Sequence, residues 1–213
     1  LLSSAERALI ISGLMVEQHN ARGEILSSVA VLAQEYGASY LPILEGSNSL
    51  GAWLAGAVPH RGPGGVSLHS GAHNFGSVFE KDRKVYFLLG FDPVLDCAGN
   101  HRLEDSLKSA DFVVGLSAFE TDSLSSTADL LLPIAAFAEN EGTFVNGLGK
   151  QLQFRSVVKP AGDSRPAWKI LRKLGGELSL SGFNAVSCAD VTRELASEVP
   201  LDVIGRVKNE NCS

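Results

Sequence analysis

The chain has 213 residues and a mass of 22.5 kDa, with 45% hydrophobic and 20% charged residues, an ordinary globular composition that excludes disordered, collagenous and coiled-coil classes. A net charge of -6 with a pI near 5.4 argues against nucleic acid as the main ligand, so no nucleic-acid partner is expected. Cys97, Cys188 and Cys212 are odd in number and widely spaced, which gives neither a disulfide framework nor a C-x-x-C metal knuckle and points to a reducing compartment.

Residues 8–11 are β-rich and closed by Ser12 and Gly13, as a short buried strand requires. Ile25, Leu26, Val29, Leu32 and Ala33 then recur at helical spacing with Gly37 in a C-cap position, and 40–44 resumes an extended pattern. This is one βαβ unit. A short helix is predicted over 48–57, a Gly- and Pro-rich loop over 59–65, and 66–80 carries no clear signal. The next unit is plainer: an apolar strand at 85–89, a break at Gly90-Phe91-Asp92-Pro93, a helix face of Leu103, Leu107 and Ala110, and a strand at 112–116. A polar loop is predicted for 117–127, followed by an apolar run at 130–132.

Strands alternating with helices, and apolar without period-2 alternation, predict an α/β fold: a doubly wound, mostly parallel sheet with helices on both faces. Beyond residue 138 the sequence turns to Gly-rich loops, an extended 152–158, a helix over 166–174 with Ser164 as its cap and Gly175-Gly176 as its end, and a last helix near 189–199. The expected division is a Rossmann-like domain over 1–140 with a C-terminal extension, 141–213, packed on it. The longest apolar run, 130–138, contains Pro133 and is far short of the ~20 residues a membrane span needs, so no direct membrane insertion is expected. The start at Leu1-Leu2, with Met15 the sole methionine, reads as a piece of a longer chain, and no signal-peptide pattern follows it.

Candidate chemistry is sparse. His60, His69 and His73 cluster, but Gly71 weakens a helix between the last two and no carboxylate sits at ligand spacing, so they read as solvated loop histidines and no metal site is expected. Gly142, Gly147, Gly149 and Lys150 miss the spacing of a phosphate loop, and neither G-x-G-x-x-G nor G-x-S-x-G occurs. Asp122, Asp129, Glu139 and Glu141 lie near predicted strand ends without a partner histidine, and no catalytic residue is assigned among them. Gly90 and Asp92 follow a buried strand, where open parallel sheets bind ligands, although a structural Asx turn explains the same residues. From 150 to 173 seven basic residues, Lys150, Arg155, Lys159, Arg165, Lys169, Arg172 and Lys173, face one acid, Asp163. The stretch reads as a solvated face or as a ridge that docks on an acidic neighbour.

The run 127–146, TADLLLPIAAFAENEGTFVN, resembles the molybdopterin oxidoreductase family, with its ADxxLP segment followed by an E-G-T-x-x-N loop. Pro160-Ala-Gly-Asp-Ser-Arg-Pro-Ala-Trp-Lys-Ile-Leu-Arg172, with 48–52 and 89–93, is similar to the closing part of the large iron–sulfur subunit of NADH-quinone oxidoreductase (complex I). The resemblance implies a structural role in the hydrophilic arm during electron transfer from NADH to quinone. It also implies no cofactor in this region, 2Fe-2S and 4Fe-4S clusters in the parent chain, other complex I subunits as partners, and a cytoplasmic, membrane-peripheral location. Family members that bind the pterin carry Glu and Arg where this chain has Leu148 and Lys150, a loss of bidentate hydrogen bonding. Gly90, Asp92, Thr121 and Asn146 are then candidates for a vestigial pocket. Two alternatives stand beside this reading: the guanine-dinucleotide-binding domain of an active molybdopterin oxidoreductase, with Gly90, Asp92 and Thr121 lining a guanine pocket, and a stand-alone nucleotide-binding module.

Overall fold

The computed structural model describes residues 2–59, 61–68, 77–79, 83–97 and 101–199. In chain order the first elements are β1 (Leu9–Ser12), α1 (Leu14–Glu17), α2 (Arg22–Glu35), β2 (Ser39–Pro42), α3 (Ser49–Leu54), β3 (Val85–Leu89), α4 (His101–Lys108) and β4 (Phe112–Ser117). They are followed by α5 (Asp122–Thr127), β5 (Leu130–Pro133), β6 (Gly142–Val145), β7 (Gln151–Phe154), α6 (Ala167–Glu177) and α7 (Cys188–Glu198). The architecture is α/β, with parallel sheets and helices on both faces. Two compact units interleave along the chain: Leu1–Val66 with Thr143–Gln153 and Leu195–Ser213, and Ser67–Gly142 with Phe154–Glu194.

In the first unit β1 and β2 pair in parallel, Leu9 with Ser39 through Ser12 with Pro42, and α2 crosses between them. The helix ends where the sequence says it must. Gly37 takes φ +61° and the Ala38 N–H reaches back to the Ala33 carbonyl at 2.8 Å, a left-handed C-terminal cap. Ser12 Oγ and the Tyr40 hydroxyl, 2.9 Å apart, tie the neighbouring strands. A tight turn at 146–150 joins β6 to β7, with Gly149 at φ +77° and the Asn146 N–H bonded to the Lys150 carbonyl.

The second unit is built on the parallel sheet β3-β4-β5. Tyr86 and Leu88 point to one face and meet Leu103 and Leu107 of α4, Val113 and Leu124 in the core. Leu103, Leu116 and Leu124 are essentially inaccessible, and each contributes roughly 1.5–3 kcal/mol of apolar burial. Gly115 is required for close packing on that face, since a Cβ there falls 2.8 Å from Leu131 Cδ1. On the opposite face Val114 and Leu116 are buried, whereas Val85, Phe87 and Leu89 of the edge strand β3 stay about half exposed. The unbroken apolar run of β3 predicts cover on both faces, but within this unit the cover stops at β4.

Three local expectations are corrected. The polar stretch 117–127 is not all loop: Thr121 takes an extended backbone and its side-chain oxygen accepts the Leu124 N–H, which starts α5. Ser164 does not cap α6, because its hydroxyl is spent on the Ala161 carbonyl at 2.7 Å and Pro166 occupies the N-cap. Gly175 and Gly176 lie inside α6, and the reversal comes later at Ser179, φ +56°. The last predicted helix is α7, opened by Ser187 and Asp190, whose side chains bond each other's N–H groups as a capping box.

Candidate functional site

Ligand sites in open parallel sheets lie beyond the carboxyl ends of the strands. In the second unit that end is formed by the loops after β3 and β4. Gly90 leaves β3 with φ +58°, its N–H bonded to the Leu116 carbonyl at 2.8 Å, and nothing lies within 4 Å of where a Cβ would stand. Two residues on, Asp92 is buried. Its Oδ1 accepts the N–H groups of Val94 and Leu95, both at 2.9 Å, and its Oδ2 accepts the Thr121 hydroxyl at 2.5 Å. Asp92 also donates its own N–H to Asp96 Oδ2 at 2.7 Å. Burial alone raises the Asp92 carboxyl, yet the hydroxyl of Thr121, the N–H groups of Leu95 and Val94 and the hydroxyl of Ser123 together hold it below the ordinary carboxylate range. The group is an anion at neutral pH that clamps two loops.

Gly90, Asp92 and Thr121 are therefore brought together, as the sequence pattern predicts. Asn146 belongs to the other unit, where its side-chain oxygen accepts the Leu148 and Lys150 N–H groups at 3.0 and 2.9 Å and so builds its own turn. The remaining carboxylates serve the backbone in similar fashion. Asp129 accepts the Val113 N–H at 2.7 Å, Glu139 accepts those of Ala136 and Ala161, and Glu141 is exposed. Asp122 sits in the first turn of α5, where its charge favours the positive helix end. His60, His69 and His73 lie outside the described residues, and among the described residues no three His, Cys, Asp or Glu side chains gather as a metal site. Sequence reading missed Ser123 and Asp96 as partners of Asp92. Thr121-Asp122-Ser123-Leu124 carries the available signal, an N-cap residue followed by an acid in the first turn.

A family model described as molybdopterin oxidoreductase matches residues 1–177. The chain belongs to that family. Among relatives of this molybdopterin oxidoreductase chain, the F420-dependent formate dehydrogenase subunit alpha of Methanocaldococcus jannaschii is 26% identical over 94% of the chain and 33% of its own length. The F420-dependent formate dehydrogenase 2 subunit alpha of Methanococcus maripaludis is 34% identical over 55% of the chain and 17% of its own length. The G2 subunit of NADH-quinone oxidoreductase from Rhizobium meliloti is 26% identical over 67% of the chain and 19% of its own length. The molybdopterin oxidoreductase region thus spans a third or less of these relatives. Among the described residues no helix is long and apolar enough to cross a membrane.

Proposed function

We propose that this molybdopterin oxidoreductase-family chain is a structural α/β domain of the large iron–sulfur subunit of an NADH-quinone oxidoreductase, supporting the hydrophilic arm while other parts of the complex carry electrons. The saturation of Asp92 carries this reading. A guanine ring is recognised by a carboxylate that accepts from its N1–H and exocyclic amine, and a carboxylate offers about four acceptor sites. Val94, Leu95 and Thr121 already fill three, and Ser123 adds a fourth hydroxyl partner. Asn146 is committed to its own turn in the same way. The residues present therefore do not fit a guanine dinucleotide, and with Leu148 and Lys150 in place of Glu and Arg they offer no bidentate grip on a pterin. Similarity to the Rhizobium meliloti NADH-quinone oxidoreductase chain over 67% of the sequence supports the same assignment.

A second reading, the dinucleotide-binding domain of an active formate dehydrogenase-like enzyme, draws on the similarity to formate dehydrogenase alpha subunits and on Gly90, whose open surroundings admit a ligand close to the backbone. Calorimetric titration of the chain with GDP separates the two. The structural reading expects no binding tighter than ~100 µM. Micromolar binding that is lost in Gly90→Val establishes the second reading instead. A positive test is co-expression with the other hydrophilic-arm subunits, where the chain should co-purify in stoichiometric amount.

A further inference from the structure

A cavity of about 430 Å³ opens in the second unit beside the start of α6, within the size range of small-molecule clefts, roughly 300–1,000 Å³. Lys159, Arg165 and Lys169 line it together with Ser156 and Trp168. The backbone fixes these groups firmly. Arg165 pairs in parallel with Ile134, its carbonyl accepts the Ala135 N–H at 2.9 Å, and its own N–H reaches the Pro133 carbonyl, so the segment extends the sheet beside β5. Its Nη1 is held by the carbonyls of Ser164 and Gly162, while Nη2 and Nε carry no bond among the described residues.

The charges are not neutralised from within. Among the described residues Lys159, Arg165 and Lys169 make no ion pair. Glu139 also lines the cavity, but both its oxygens are bound to the N–H groups of Ala136 and Ala161, and Glu141 is exposed. Helix α6 begins here with Pro166 at its N-cap, no side-chain cap and no acid in its first turn, so its positive end is uncompensated. The Lys169 ammonium lies 5.4 Å from the Trp168 ring centroid, which places an indole within reach of whatever the cation binds.

We propose that this cavity is a binding site for a phosphoryl group, held by Lys159, Arg165 and Lys169 at the amino end of α6. Three cations of different reach, a hydroxyl and helix N–H groups match the tetrahedral, multiply charged oxygens of a phosphate better than a single planar carboxylate. The assignment is independent of the structural role proposed above, since neither Asp92 nor Asn146 takes part.

The test uses the 213-residue chain in a Trp53→Phe background, which leaves Trp168 as the sole tryptophan and makes its fluorescence a local reporter. Pyrophosphate titrated at constant ionic strength should give a saturable change with a Kd of ~0.1–1 mM. The Lys159→Gln/Lys169→Gln variant should weaken binding about 10-fold or more, with the far-UV spectrum unchanged. Lys173→Gln, which removes a cation already paired with Glu177, should leave the Kd unaltered. The proposal is overturned by the absence of a saturable signal, by equal affinity in the double variant, or by citrate binding as tightly as pyrophosphate at matched ionic strength.

Discussion

The Thr121 hydroxyl donates to Asp92 Oδ2 at 2.5 Å while the same oxygen accepts the Leu124 N–H at 3.2 Å. One threonine thus joins the loop after β3 to the first turn of α5, the helix that supplies Leu124 to the core. Thr121→Ala removes a helix cap and a donor to a buried charge together, a loss of about 1–3 kcal/mol, whereas Thr121→Ser keeps both and should stay within about 0.5 kcal/mol. Asp92→Ala strands the Val94 and Leu95 N–H groups in a buried turn and should lose about 2–4 kcal/mol. Urea midpoints of the three variants measure the ranking. Equal midpoints for Thr121→Ala and Thr121→Ser would remove the clamp from the account.

The same carboxylate sets a pH dependence whose sign follows from its lowered folded value. An unfolded aspartate titrates near ~3.9, so the stabilisation is fully present above about pH 5 and is lost as pH falls through the lower, folded value. Stability of the wild-type chain should therefore decline on acidification below about pH 4, and Asp92→Asn should flatten that decline. Unfolding midpoints collected from about pH 6 down to about pH 3 show whether the slopes differ.

Gly175 looks like a helix stop in the sequence, and the structure gives it another task. A Cβ at Gly175 would fall 2.2 Å from Phe183 Cγ, so the phenyl ring lies directly on the α6 backbone. Gly176, one residue on, has nothing within 4 Å. Gly175→Ala should destabilise by about 1–3 kcal/mol through overpacking, and Gly176→Ala should stabilise by up to about 1 kcal/mol through helix propensity. The double variant Gly175→Ala/Phe183→Ala should be less destabilised than the two single effects predict together, because the clash needs both groups. Additive effects would show that the ring is free to move aside.

These residues also show where the sequence was legible. The strands at 85–89 and 112–116 were readable because an unbroken apolar run bounded by turn residues has few other uses, and α2 because Ile25, Val29, Leu32 and Gly37 agree on period and end. Gly90 and Asp92 were readable as a pair for the same reason, since a glycine and an Asx residue after a buried strand fix a turn. What did not show were the tertiary uses of local signals. Gly175 mimics a C-cap but makes room for Phe183, Ser164 mimics an N-cap but closes a turn on Ala161, and the serines around α5 hid a helix whose main apolar anchor is Leu124. The edge position of β3 was equally hidden, because neighbour order in a sheet is not written in any one strand.

Tyr86 makes the core of the second unit slightly frustrated. It is 7% exposed and packed near Phe79, with ring centroids 6.3 Å apart, yet its buried hydroxyl has no hydrogen-bond partner among the described residues. An unpaired buried hydroxyl carries a desolvation penalty that phenylalanine lacks, while the ring contacts are the same. Tyr86→Phe is therefore expected to leave stability unchanged or raise it by up to about 1 kcal/mol. Tyr86→Ala should lose about 3–5 kcal/mol by opening a cavity next to Leu103 and Leu107. A loss above about 1 kcal/mol in Tyr86→Phe, read from the urea midpoint, would establish that the hydroxyl is satisfied in solution.

Cys188 opens α7 with its thiol donating weakly to the Glu141 carbonyl at 3.7 Å. Partial burial, and then the negative charge of the Glu141 side chain, push its thiol above the ordinary value. The thiolate is the nucleophile, so the shift should make Cys188 slow to react at neutral pH although it is only partly covered. In a Cys97→Ser/Cys212→Ser background, alkylation of Cys188 should be slower at about pH 8 than that of a small free thiol and should keep rising with pH beyond the range where that thiol levels off. Glu141→Gln removes the opposing charge and leaves the burial, so it should speed the reaction by roughly 2–5-fold, the range of an exposed charge interaction. Burial alone would account for the shift if Glu141→Gln left the rate unchanged, and a pH profile matching the free thiol would show that the Cys188 environment does not hold its proton at all.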